Sequence, residues 1–236
     1  MYPLFHQNQP FSLLHTLNFN RLRKRMVENQ LYPHNVTEER ILYMFKTIPR
    51  EKFLPAPFHP IAYSDGLLKI LSDTYIMPPF MLARLIQALN PQDSDSTLVI
   101  GDVTGYTAAL LSGLSGGVVS LIPDTLPDAH LEAMKEALNT YSPNPVILKQ
   151  GSLEKGAPLY APYTHLFFEG SVPFFPKNLL DSLMTKGSAI AMLWKTPYLT
   201  KATLYKKTEF SSSEQALFEG FLPPLSGFKK KSSFSF

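Results

Sequence analysis

The stretch Thr97-Leu-Val-Ile-Gly-Asp-Val-Thr-Gly-Tyr106 sets four apolar or β-branched residues before two glycines spaced four apart, and Thr107 to Leu114 continues as an Ala/Leu-rich segment. This pattern predicts a buried strand, a tight turn and a helix. In an open parallel sheet such a junction makes a crevice where a nucleoside or phosphate ligand lies against backbone N–H groups, although the same junction also serves as a plain packing turn. Other chemistries find less support. The chain has no cysteine, which removes disulfides, thiolate metal sites and cysteine nucleophiles together. The histidines His6, His15, His34, His59, His130 and His165 show no ligand spacing, so no metal site is expected. Ser64-Asp65 makes no recognisable triad with any of them.

Composition narrows the class further. At 236 residues and 44% hydrophobic, the chain is long enough for one well-buried α/β domain with a modest appendage. A net charge of +3 with 17% charged residues gives no case for a nucleic-acid or polyanion partner. Met1 to Asn20 lacks the basic start and unbroken apolar run of a signal peptide. No segment approaches the roughly 20 apolar residues that span a bilayer. A soluble, cytoplasmic protein is the expectation.

The elements that must position the glycine turn follow from periodicity. Met1 to Asn20 reads as an arm, with a short apolar helix around Phe11 to Leu17. Arg21 to Gln30 reads as a helix whose basic side faces solvent. Thr37 is placed to cap a helix carrying Ile41, Phe45 and Ile48, ended by Pro49. Ala62 to Leu71 reads as a loop or short strand, and Pro78-Pro79 opens a helix with a Met81, Leu82, Leu85, Ile86, Leu89 stripe. Val118 to Ile122, Val146 to Lys149, His165 to Glu169 and Ala189 to Trp194 read as further strands, with Trp194 packing at the core or rim. Helices are expected at Pro127 to Tyr141 and around Leu179 to Met184, the latter followed by a Lys186-Gly187 turn. Ala202 to Lys206 and Phe218 to Leu222 suggest an antiparallel edge pair, and Lys229 to Lys231 a solvated charge run. The alternation predicts an α/β, doubly wound, mostly parallel Rossmann-like sheet. The arm is 1–20 and the single domain 21–236, comprising an N-terminal helical and lid module at 21–90 and a core with C-terminal edge strands at 97–236.

Several motifs then match a known family in order. Arg25-Met-Val-Glu-Asn-Gln-Leu31, Val36 to Arg40, Ile48-Pro-Arg-Glu-Lys-Phe53 with Pro55, and Ala62-Tyr-Ser-Asp65 come first. Gly101 to Tyr106, Gly151 with Gly156, Ala161-Pro-Tyr163, Pro173 and Pro176 with Leu179-Leu180, and Lys186-Gly187 follow. The series resembles the protein-L-isoaspartate O-methyltransferases over roughly Arg21 to Trp194. Ala202-Thr-Leu-Tyr205, Phe218, Pro223-Pro-Leu225, Gly227-Phe228 and Phe236 resemble the tails of a bacterial subgroup of that family.

The resemblance implies a class I methyltransferase fold, S-adenosylmethionine as cofactor, a protein or peptide substrate, and methyl transfer to the α-carboxyl of an L-isoaspartyl residue. Such a reaction needs no metal; the protein positions two reactants and excludes water. It also implies site residues, several of which are replaced here. Gly101, Asp102, Thr104 and Gly105 stand on the cofactor motif, with Val103 where the family has its middle Gly. Val99 and Ile122 occupy positions of family acids, the latter that of the ribose-binding acid. Asp124 reaches the ribose only if Pro123 bends the loop back, and Ser152 is a hydrogen-bond partner near the adenine. In the substrate loop Asp73 stands where a Gly belongs and Met77 where the family has its catalytic Ser, which leaves Thr74 and Tyr75 as the nearest hydroxyls. Thr164 follows Ala161-Pro-Tyr163 where the family commonly has Asp, and Asp65 reads as a loop cap.

Two functions of different class follow. One is an active isoaspartyl-type methyltransferase, which binds its cofactor. The other is a catalytically inactive relative that serves as a binding or structural partner, using the old substrate groove or the N-terminal arm.

Overall fold

A computed structural model describes residues 17–71, 74–196, 198–225 and 227–228. The Phe11 to Leu17 helix, except for Leu17, together with Asp73 and the Lys229 to Lys231 run, lies outside the described residues. Among the described residues, seven strands form one sheet in the order β5-β4-β3-β6-β7-β8-β9. These are β3 (Ser96–Ile100), β4 (Gly117–Ile122), β5 (Val146–Gln150), β6 (Tyr163–Val172), β7 (Leu183–Thr196), β8 (Leu199–Lys207) and β9 (Ser212–Gly220). The first five are parallel, and β7, β8 and β9 pair antiparallel, as the sequence pattern predicts.

Side chains alternate across the strands, so the two faces feed two cores. Val99, Phe167 and Ile190 point into one, whereas Leu98, Ile100 and Phe168 point into the other. After β3 the chain moves outward through α4 (Tyr106–Ser112), β4, α5 (Asp128–Tyr141) and β5, and it returns to the other side of β3 with β6. The carboxyl ends of β3 and β6 therefore flank the topological switch point, where ligands of such sheets lie.

The N-terminal module packs on the first core. Helix α1 (Phe19–Met26) runs on through a wide π-type turn, Val27–Leu31, and α2 (Glu39–Thr47) and α3 (Pro79–Leu89) follow. Two sequence expectations shift here. Glu38, not Thr37, caps α2, its carboxylate accepting from the Arg40 amide. Arg23 does not join the solvated face of its basic run. It is buried, with Nη2 3.1 Å from Glu51 Oε1 and Nε donating to the Tyr63 hydroxyl at 2.9 Å, and Tyr63 donates in turn to Glu51. This pins α1 to the Arg50–Phe53 turn.

A two-stranded antiparallel hairpin, β1 (Leu68–Leu71) with β2 (Thr74–Ile76), leads into α3, so Thr74 and Tyr75 sit on a strand. The helix expected around Leu179 to Met184 is displaced. Helix α6 spans Lys177–Asp181, and Leu183 and Met184 already belong to β7, which kinks at Lys186 (φ +68°). Pro176 fixes φ at the residue before that helix and sets its start early. The last strand also starts and ends earlier than its apolar pattern suggests, because the polar Ser/Glu link itself pairs with β8. Phe221 and Leu222 thereby leave the sheet.

Arg50 joins the module to the site. Its side chain is fully buried, Nε donating to the Ala62 carbonyl at 2.9 Å and Nη2 to the Met77 carbonyl at 2.7 Å, with Cζ 5.0 Å from the Tyr106 ring centroid. Replacing it strands two carbonyls and leaves the nearby acids Glu169 and Asp102 without their cation. Arg50→Ala should cost about 3 kcal/mol or more, read as a lower urea midpoint; a midpoint within error of the parent would contradict this role.

Candidate functional site

The glycine turn forms as the sequence predicts. Gly101 (φ +88°) and Gly105 (φ +83°) both take left-handed conformations that a side chain resists. Between them the Asp102 carboxylate is fully buried and turned back onto the helix. Its Oδ1 accepts from the Thr104 amide at 3.1 Å, the Thr104 hydroxyl at 2.9 Å and the Gly105 amide at 2.8 Å, and its Oδ2 accepts from the Ala108 amide at 2.9 Å. Thr104 Oγ1 accepts from the Tyr106 amide at 3.2 Å. The helix-end N–H groups expected to face a ligand are thus largely consumed within the turn. Asp102 and Thr104 serve this cap with their side chains, and Val103 is left on the crevice wall with its carbonyl 2.8 Å from His130 Nε2.

The other expected residues divide into two groups. Thr74 and Tyr75 reach the crevice, which they line with Gly101, Val103, Pro123 and Glu169. Asp124 and Ser152 are exposed and do not line it. Met77 is fully buried, its carbonyl held by Arg50, so no side chain at that position faces an acceptor. Ile122 is likewise buried at the end of β4.

Two features of the crevice are absent from the sequence reading. One is Glu169, the carboxylate at the switch point. It is buried, Oε2 accepts from the Thr107 hydroxyl at 2.7 Å, and Oε1 has no partner among the described residues. Burial first, and the neighbouring Asp102 second, push its carboxyl up to about 8, against the pull of Thr107 and Arg50. Burial likewise raises Asp102, opposed by the turn's own donors. A charged residue closing an apolar strand was the one available signal, and in sequence it reads as a strand end.

The other is the tail. Leu222, Pro223, Pro224 and Leu225 lie across the carboxyl ends of β3 and β6 and line the crevice from above, leaving a cavity of about 30 Å³. The Ser171 amide donates to the Pro223 carbonyl at 3.1 Å and the Leu225 amide to the Ser171 carbonyl at 2.8 Å. On the outer side of this segment lies a groove of about 650 Å³, bounded by Phe174, Trp194, Lys195 and Phe221.

A model of the family described as protein-L-isoaspartate(D-aspartate) O-methyltransferase matches residues 21–219. The chain belongs to that family. Among the curated relatives named protein-L-isoaspartate O-methyltransferase, that of Koribacter versatilis is 34% identical over 172 residues, which cover 71% of this chain and 74% of the relative. That of Aeropyrum pernix is 31% identical over 192 residues, 80% of this chain and 73% of the relative. A solved protein-L-isoaspartate O-methyltransferase superposes with a TM-score of 0.73 at 23% identity, covering 87% of this chain and 67% of that one. A Plasmodium falciparum structure in complex with S-adenosyl-L-homocysteine gives 0.68 at 17% identity, covering 89% and 99%. These two likenesses establish a shared methyltransferase fold. The family match stops at residue 219, before the segment that covers the crevice.

Family members draw their methyl group from S-adenosylmethionine, and ligands of that size occupy sites of about 300 Å³ or more. The cavity left beneath the tail is about 30 Å³, so the cofactor does not fit in that cavity while the tail is seated; Thr104 of the same motif lines a separate cavity of about 380 Å³ with Phe53, Pro127 and His130.

The raised carboxyl of Glu169 has a consequence for stability. Between its ordinary value of 4.5 and about 8 the folded protein holds a proton that the unfolded chain releases. Its stabilising contribution is therefore complete below the lower value and lost as pH rises towards the upper one, at up to about 1.4 kcal/mol per pH unit. Glu169→Gln should flatten the fall in melting temperature between pH 5 and pH 8 and raise it at pH 8. An unchanged pH slope in the variant would show that Glu169 is not the group responsible.

Proposed function

We propose that this chain is a tail-closed member of the isoaspartyl methyltransferase family, a protein-recognition scaffold in which S-adenosylmethionine chemistry is excluded while residues 222–228 are seated. One observation carries this reading: Leu225 and its neighbours fill the switch-point crevice down to about 30 Å³. The residue types agree with it. Val103 narrows the wall where close backbone approach would be needed. Ile122 offers no acceptor for a ribose hydroxyl, and the buried Met77 cannot orient a carboxylate. What remains is the well-packed sheet and a module that, in the enzymes named above, belongs to proteins acting on other proteins.

A second reading has its own support. The relatives at 31–34% identity are named as isoaspartyl methyltransferases, and the strand, left-handed glycine and helix of their cofactor motif are retained here. On that reading the chain methylates isoaspartyl carboxyls in damaged proteins whenever the tail withdraws, with Thr74 and Tyr75 as the hydroxyls nearest the acceptor.

Calorimetric titration of the full chain with S-adenosylmethionine and S-adenosyl-L-homocysteine separates the two. The tail-closed reading predicts no binding heat at about millimolar ligand, and no methyl ester on an isoaspartyl peptide. Binding near micromolar affinity, about −8 kcal/mol, together with peptide methylation, would overturn it in favour of the second.

A further inference from the structure

We infer that the switch-point crevice of this protein is a peptide seat, shaped for an extended Leu-Pro-Pro-Leu segment and occupied in cis by Leu222–Leu225, with Gly227 and Phe228 beyond. The inference deepens the tail-closed reading and rests on it for the crevice being free of cofactor. It stands on the fit between the two surfaces.

Two backbone hydrogen bonds join the segment to the sheet. Two successive prolines carry no amide hydrogen, so the segment presents few polar groups, and the Pro223 carbonyl and Leu225 amide both pair with Ser171 in a short parallel bridge. The prolines also hold the segment extended before it docks, which lowers the entropy lost on seating. Beyond them Gly227 (φ +91°) permits the turn in which the Phe228 amide donates to the Leu225 carbonyl at 3.1 Å.

The side-chain match is equally specific. A Cβ at Gly101 would overlap Leu225 Cδ1, and one at Gly170 would stand 2.7 Å from Leu225 Cβ. The conformation of Gly101 explains its identity without reference to the tail, whereas Gly170 has no left-handed backbone to require a glycine. Its missing side chain is accounted for by Leu225. Leu222, Leu225 and Phe228 are buried at 2%, 8% and 6% exposure, and the Phe228 ring meets Phe168 edge-on at 6.1 Å between centroids. Each such burial takes apolar surface out of water and favours the seated tail. Strand β9 ends at Gly220 and delivers the segment directly, so the local concentration of the occupant is high.

The protein carries its own reporter. Trp194 is the one tryptophan in the chain, its indole N–H donates to Ser171 Oγ at 2.6 Å, and it borders the groove beside Leu222 and Pro224. Unseating the tail changes the surroundings of this ring.

The test uses full-length protein and a synthetic peptide of residues 219–228. Leu225→Asp places a charge against the apolar floor, and Gly170→Ala pushes the tail off from below. Each variant, with a parent-like far-UV circular dichroism spectrum, should show shifted Trp194 emission. The peptide should bind the Leu225→Asp protein saturably and restore the parent emission. It should not bind the parent, and a peptide carrying Asp at the Leu225 position should bind about tenfold more weakly or worse. Parent-like emission in both folded variants, or no peptide binding to the folded Leu225→Asp protein, would overturn the seat. That failure is distinct from failure of the functional reading, which S-adenosylmethionine binding to the parent protein would bring about without any change in the peptide result.

Discussion

A buried carboxylate must find donors or give up its charge, and Asp102 finds four within its own turn and the first turn of α4. Much else depends on that choice. By accepting from the amides of Thr104, Gly105 and Ala108, it caps α4, holds the left-handed Gly105 and leaves Val103 on the crevice wall. It also sets a second acid beside Glu169, whose carboxyl is raised, with Arg50 near both. Arg50 in turn holds the Met77 carbonyl, so the entry to α3 and the end of β6 are tied to the same electrostatic centre.

On the proposed reading, that arrangement lets a site change its occupant while the fold persists. The sheet is stabilised by two apolar cores whose residues alternate along each strand. The crevice is a consequence of topology, and something must cover its apolar floor. In this chain the cover is covalently attached. Leu225 and Phe228 join the same core as Leu98, Ile100 and Phe168, so the tail is part of the hydrophobic interior as well as a lid. The neutral form of Glu169 is the one compatible with such a cover, since a charged carboxylate beneath Leu225 would be desolvated on every side but that of Thr107 and Arg50.

The sequence revealed much of the sheet and little of the crevice. Val118 to Ile122 and Ala189 to Trp194 are apolar runs between turn signals, and local pattern was enough to find them. Gly101 and Gly105 were legible because positive φ has a residue signature. Arg23 was missed because a basic run reads as solvated, and only the fold brings Glu51 and Tyr63 to it. Glu169 hid as the last residue of a strand, its meaning set by burial and by Asp102, neither of which is local. The segment Pro223-Pro-Leu225 was visible as a motif of the tail, but nothing in its own residues tells that it returns more than fifty positions in sequence to pair with Ser171. Local chemistry wrote the elements; long-range contact wrote the site.

The most direct measurement is native-state hydrogen exchange at the Leu225 and Ser171 amides, the two donors of the bridge between tail and sheet. A tail that is part of the interior predicts protection at both amides comparable with the amides of β9, unchanged when S-adenosylmethionine is added in excess. Exchange at Leu225 as fast as an unstructured peptide, or protection that collapses on adding the cofactor, would contradict the claim that the crevice belongs to the chain's own tail.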